Sequence, residues 1–256
     1  MPTGNTVRSV TKVLDLLERL GAARRPMSVS EVARATGINV STAHRLLQTL
    51  VTRGYVAQQV DSRNYALGPR LMELGSAYVT SSDLVGAALP QLEQLRDTIG
   101  ETIHLAILSE GDIVELCNAS GRQPVSVSMR AGRRDPAHCT AIGKVLLAHL
   151  SDDKLDQLLA KPLARCTAAS ITDPRRLRQE LMAVHERGYA IDDEELATGL
   201  CCVSVPIMAP SQRVSAAISV AMPRERFKAR QIPRWVRMLE AGAARISTAI
   251  AVSNGR

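Results

Sequence analysis

Five polar side chains between Ser41 and Gln48 have the types and spacing to do chemistry on a nucleic acid. Ser41, Thr42, His44, Arg45 and Gln48 interleave with Ala43, Leu46, Leu47 and Leu50. The apolar set recurs at i, i+3, i+4 and i+7, the stripe of a helix packed on one side. The polar set therefore falls on the other side. Its members are short or donor-bearing, the types that hydrogen-bond base edges and phosphates. No acidic residue occurs between Asn39 and Arg53, whereas a merely solvated face mixes both signs.

The neighbouring residues supply what would hold that helix in place. Ser28 and Glu31 have the spacing of a capping box, which starts a helix ahead of it. Val32 and Ala33 face inward from that first helix, and Ala33 is small enough for close crossing. Gly37 supplies the left-handed backbone of a tight turn, and Asn39 is a good N-cap for the second helix. Strand-like residues 54–59, the polar turn Val60-Asp61-Ser62-Arg63, and strand-like residues 64–67 follow. This is a wing with Arg63 at its tip. The ordinary alternative is a helical hairpin with a polar exterior. The missing acids and the wing favour a winged helix-turn-helix that reads DNA.

Composition agrees on the partner. The chain has 256 residues and a formal net charge of +7. Residues 1–78 carry ten Lys/Arg against five Asp/Glu, so most of the surplus lies where phosphates would be met. One Trp, one Phe and four Tyr leave the core to aliphatic side chains. The five cysteines, Cys117, Cys139, Cys166, Cys201 and Cys202, show neither disulfide-framework nor CxxC spacing, which reads as reduced thiols. The first apolar stripe is amphipathic and no run is long enough to span a bilayer. A cytoplasmic protein with no membrane partner is expected.

The length favours two domains. A first helix over 9–20 is expected to turn Val10, Val13, Leu14 and Leu17 inward. The winged domain spans 1–68, a linker helix 69–83, and a second domain 84–256. That second domain opens on a helix over 84–99, where Pro90 predicts a kink or a late start. Period-two stretches predict strands at 102–108, 112–117, 125–129, 189–192, 203–208 and 214–221. Arg130, Arg133 and Arg134 fall in a loop. Helices are expected from 141 to 150, after a Ser151 cap, from Asp173-Pro174 to Gly188, and over 232–252. The fold class is α+β, with a mostly antiparallel sheet flanked by helices.

Three stretches together resemble the IclR family of bacterial transcriptional regulators. They are the winged helix-turn-helix with Ser41-Thr42 and His44-Arg45-Leu46-Leu47, the run His138 to Lys144, and Gly188 to Glu195 followed by Gly199 to Ile207. The resemblance spans about Val7 to Val252. One departure is Met208-Ala209, where the family usually has an aromatic and then a turn residue. The resemblance implies a C-terminal GAF-like α/β effector-binding domain and a homodimer or homotetramer. It also implies a repressor of a catabolic operon, with an activator as the alternative. The implied effector is a small organic acid. The implied binding residues are Ala141, Ile142, Asp192, Cys202 and Ser219. The apolar Ala221, at a position more polar in some relatives, implies a less polar or differently shaped ligand. A helix start at Ala141-Ile142 suits a carboxylate through its unpaired amides, and Gly143 would permit close approach. Each of these residues also has a plain reading as helix start, cap or strand core.

Other functions compete. His138-Cys139 might form a nucleophile and base, but neighbours on an extended segment point to opposite faces. A metal site using some of His104, His138, Cys139, Cys201 and Cys202 is a second rival, but no pair has zinc-motif spacing. A winged helix can also serve protein contacts alone. No catalytic residue, metal site or cofactor is expected.

Overall fold

The structure is a computed structural model that describes residues 6–81, 83–127, 129–209 and 213–253. The chain forms two compact units, residues 1–81 and 82–256. In the first, α1 (Arg8–Ala23), α2 (Val29–Thr36) and α3 (Val40–Thr52) precede β1 (Val56–Gln58), β2 (Tyr65–Leu67) and α4 (Arg70–Ser81). The helix expected as a linker, α4, therefore counts with this unit.

Local signals act as the sequence predicts around the helix pair. Glu31 N donates to Ser28 Oγ at 3.3 Å, and Ser28 N donates to Glu31 Oε2 at 2.8 Å. Arg25 donates to the same carboxylate, and these donors hold Glu31 down to about 2. Gly37 sits at φ 65°, and Asn39 Oδ1 accepts from Ser41 N at 2.9 Å. The wing pairs Val56 with Leu67 and Gln58 with Tyr65, and Met27 bridges to Tyr65 as a third edge. Gly68 is required there, because a Cβ would lie 2.2 Å from Gly54 O.

The inward face of α1 differs from the expectation. Leu16 and Leu20 are its buried residues, Val13 and Leu17 are half-buried, and Val10 and Leu14 are 54% and 51% exposed. The helix carries two apolar rows, one through Val10, Leu14 and Leu17 and one through Val13, Leu16 and Leu20. The second row packs on α2, α3 and β2. Periodicity alone could not choose between them.

The second unit runs α5 (Asp83–Ile99), β3 (Thr102–Ser109), β4 (Asp112–Ala119), β5 (Arg134–Pro136), α6 (Ala141–Leu147), α7 (Asp152–Leu159), α8 (Pro174–Arg187), β6 (Ala190–Asp193), β7 (Leu200–Met208), β8 (Val214–Pro223) and α9 (Ile232–Ser253). The sheet order is β5-β4-β3-β8-β7-β6, and every pair is antiparallel. Ala106, Ile113, Cys202, Ala217 and Ala221 face α6 and α8 in one core. The alternate residues, such as Leu105, Val203 and Val220, face the side where α5 and α9 pack. Helix α5 runs through Pro90 without a late start.

The strand expected at 125–129 is not formed by its described residues. Val127 O accepts from Thr102 Oγ1 at 2.8 Å and Met129 O from Asn118 Nδ2 at 2.9 Å, so side chains rather than a ladder hold this segment. The sixth strand is β5, inside the basic loop. It pairs Arg134 with Val114 and Pro136 with Asp112, and Arg134 Nε reaches Asp112 Oδ2 at 3.3 Å. Cross-strand charge and backbone bonds outweigh the local β-propensity of the Val125 region.

Candidate functional site

On α3, Ser41, His44 and Arg45 are exposed, while Thr42 and Gln48 are half-buried. The apolar stripe is buried at Ala43, Leu47 and Leu50 and half-buried at Leu46. Ser41 Oγ already donates to Asn39 Oδ1 at 2.7 Å, so its lone pairs remain for an incoming donor. Gln48 is not a free reader. Its Nε2 donates to Tyr65 Oη at 3.1 Å and to Gln58 Oε1 at 3.4 Å, which ties α3 to the wing. Arg63 is exposed at the wing turn with φ 55°, and Gln58 Nε2 donates to its carbonyl at 3.0 Å.

In the other unit, the five positions implied for an effector line one cavity. Ala141 and Ile142 come from α6, Asp192 from β6, Cys202 from β7 and Ser219 from β8. Strand register brings them together, since Asp192 pairs with Cys202 and Ser219 with Ser204. Thr140 caps α6, with Oγ1 accepting from Gly143 N at 2.9 Å and its carbonyl from Lys144 N at 2.9 Å. The amides of Ala141 and Ile142 make no bond among the described residues, as first-turn donors do. Gly143 is needed for a different reason than ligand approach. A Cβ there would lie 2.1 Å from Ala137 O, so its bare backbone lets the preceding turn pack against α6.

Asp192 has two roles on its two oxygens. Oδ1 accepts from Glu195 N at 2.7 Å and Leu196 N at 3.4 Å, which fixes the turn after β6. Oδ2 is buried without a partner. Burial pushes its carboxyl up to about 7. Behind it, the buried Lys144 Nζ pairs with Glu195 Oε1, and burial raises Glu195 as well. Burial also holds the Cys202 thiol well above its ordinary range.

Sequence reasoning did not place six of the lining residues there, among them the ionisable His104 and Glu115. His104 Nδ1 and Glu115 Oε1 lie 2.9 Å apart, with both side chains about 2% exposed. His104 Nε2 and Glu115 Oε2 have no partner. The available signal was an ionisable residue within each apolar strand, HLAIL and IVELC. The cavity holds about 20 Å³, room for a single water. Its walls must part to admit an organic acid.

Residues 9–60 match the IclR helix-turn-helix model, and residues 76–248 match the model for the C-terminal domain of the bacterial transcriptional regulator IclR. The chain belongs to the IclR family. It is 37% identical over 244 residues to the HTH-type transcriptional regulator KdgR of Escherichia coli strain K12, covering 95% of this chain and 92% of that one. It is 30% identical over 251 residues to the transcriptional repressor IclR of the same organism, covering 97% and 92%. A solved IclR homologue from Microbacterium hydrocarbonoxydans, complexed with 4-hydroxybenzoate, superposes with a TM-score of 0.82 at 28% identity, covering 95% and 99%. This IclR-family chain is a DNA-binding regulator rather than an enzyme.

The His138-Cys139 pair has a structural task, though not through the geometry expected. Residues 137–139 form a 3-10 turn, not an extended segment. His138 Nε2 lies 2.8 Å from Ala164 O, and Cys139 Sγ donates to the same carbonyl at 3.8 Å. The two side chains pin one loop together. No three His, Cys, Asp or Glu side chains among the described residues are placed to hold a metal ion. No described helix is long and apolar enough to cross a membrane.

Proposed function

We propose that this regulator represses a catabolic operon and that a small organic acid in the C-terminal cavity modulates its operator binding. One observation carries the reading: Ala141, Ile142, Asp192, Cys202 and Ser219 converge on one cavity in a unit separate from the DNA-reading residues. The ligand carboxylate takes the amides of Ala141 and Ile142, and Asp192 takes a hydroxyl. The named repressor among the relatives and the hydroxybenzoate bound by another support repression and an acid effector. Ser41, Thr42, His44 and Arg45 contact the operator. Gln48 sets the wing angle and Arg63 meets a phosphate. A single recognition helix reads few base pairs, so the working unit is a homodimer or homotetramer acting in the cytoplasm on paired half-sites.

Thermal shift of the full-length protein against a panel of organic acids tests this. At least one acid is expected to stabilise the wild type and not Ile142→Trp, whose indole fills the cavity. An acid that stabilises both equally moves the effector site elsewhere.

A further inference from the structure

Within one small cavity, three polar atoms have no partner among the described residues: His104 Nε2, Glu115 Oε2 and Asp192 Oδ2. Their residues are 1%, 2% and 0% exposed. Buried polar atoms are almost always satisfied, so three orphans facing one space point to what fills it. Glu115 is there because of an irregularity. The β3–β4 register shifts by one residue between Leu105 and Ala106, so His104 pairs with Asn118 but Ala106 pairs with Glu115. In unbroken register Ala106 would face Leu116, and Glu115 would point to the opposite side of the sheet. The bulge brings Glu115 onto the cavity face beside His104.

We propose that the cavity selects a polyhydroxylated carboxylic acid, with the His104–Glu115 pair reading its hydroxyl groups. This rests on the effector reading above and names the ligand class. With Nδ1–H donating to Glu115 Oε1, His104 Nε2 accepts when the ring carries one proton and donates when it carries two. Glu115 Oε2 faces the same space, and Asp192 Oδ2 accepts when its carboxyl is ionised and can donate when it is protonated. A ligand carboxylate placed among them is repelled, so it goes to the α6 amides at the other end. The acceptor end then takes donors. A hydroxyl both donates and accepts, so it satisfies these atoms in either protonation state of the pair, whereas an ammonium only donates. A ligand hydroxyl can also accept from Ser219 on the same wall, whereas Thr140 Oγ1 already donates to Ala137 O at 3.3 Å. The less polar ligand implied by the methyl of Ala221 does not fit this wall. Ala221 is not among the residues lining the cavity, and the polar groups enter from β3 and β4 instead.

Calorimetric titration of the full-length protein tests the class. The probes are gluconate, glucuronate and threonate, against hexanoate, 6-aminohexanoate and 4-hydroxybenzoate. At least one polyhydroxy acid is expected to bind tenfold or more tighter than every control. Glu115→Gln keeps the side-chain shape but replaces the orphan acceptor by a donor. It should weaken that acid about ten- to a hundredfold and leave the controls unchanged. His104→Gln probes the same pair if Glu115→Gln melts far below the wild type. Binding that is lost in Ile142→Trp but unchanged in both pair variants overturns the proposal and leaves the cavity reading standing. Tighter binding of a control, or no binding by any polyhydroxy acid, also overturns it. Binding that survives Ile142→Trp overturns the cavity itself.

Discussion

The outer face of α3 and the C-terminal cavity both gather polar side chains, but in opposite physical states. Ser41, His44 and Arg45 stand in water, which satisfies whatever polar atoms the protein does not. His104, Glu115 and Asp192 are withdrawn from water with one polar atom each uncompensated, which costs free energy until a ligand arrives. The first surface is ready-made and gains affinity mainly from phosphate charge. The second is closed and under-satisfied, so on the proposed reading a matching ligand would stabilise the fold as it binds. The proposed function uses this division: the reading surface stands exposed, and the cavity is where an effector would act.

The largest expected effect probes the ready-made surface. Operator affinity should fall by about a thousandfold or more between 50 and 200 mM salt if ~6 or more phosphates are neutralised. Fluorescence anisotropy across that range checks it, and a flat response breaks the electrostatic half of the comparison. Next comes the packing that shapes the cavity. Gly143→Ala places a Cβ 2.1 Å from Ala137 O and should cost about 3 kcal/mol in urea unfolding of the C-terminal unit. Gly75→Ala on α4, with nothing within 4 Å of its Cβ, should cost nothing or stabilise slightly. Equal effects from the two would remove the packing argument for α6.

Within the reading surface, Arg45→Ala should lose about 1–3 kcal/mol on the operator and relax preference at one base position. Arg63→Ala should weaken operator and scrambled DNA evenly. Equal loss of discrimination would merge the two roles.

The smallest effect sharpens the closed side. Burial raises the Asp192 carboxyl from its ordinary 3.8 to about 7, so the folded state holds a proton that the unfolded state has released. The associated penalty is absent below about pH 4, grows as pH rises to about 7, and is complete above it. Asp192→Asn should flatten that slope and gain about 1 kcal/mol at pH 8, as read by thermal melts at each pH. A wild type whose stability rises across this window contradicts the assignment.

How much was legible follows the range of the interactions. Ser28–Glu31, Gly37 and Asn39 act over two to four residues, so the helix pair could be read directly. The α6 cap at Thr140 and the Asp192 turn are equally local. By contrast, α1 was misfaced because two apolar rows compete and only tertiary contact decides between them. The strand at 125–129 was misplaced because Arg134 and Asp112, 22 residues apart, determine the pairing. His104 and Glu115 stood out as ionisable residues in apolar strands, but their meeting on one face stayed hidden because one bulge decides which side of the sheet Glu115 faces.

One measurement tests the central claim that a separate acid-filled cavity controls the reading surface. Operator fragments selected from random DNA by the protein itself are titrated at fixed salt, with and without the acid that most raises its melting temperature. The wild type should show about a 5- to 150-fold change in operator Kd with acid, the usual size of such coupling. Ile142→Trp should bind the operator as the unliganded wild type does and show no change. An equal acid response in both proteins, or an Ile142→Trp protein that no longer binds DNA, contradicts the account.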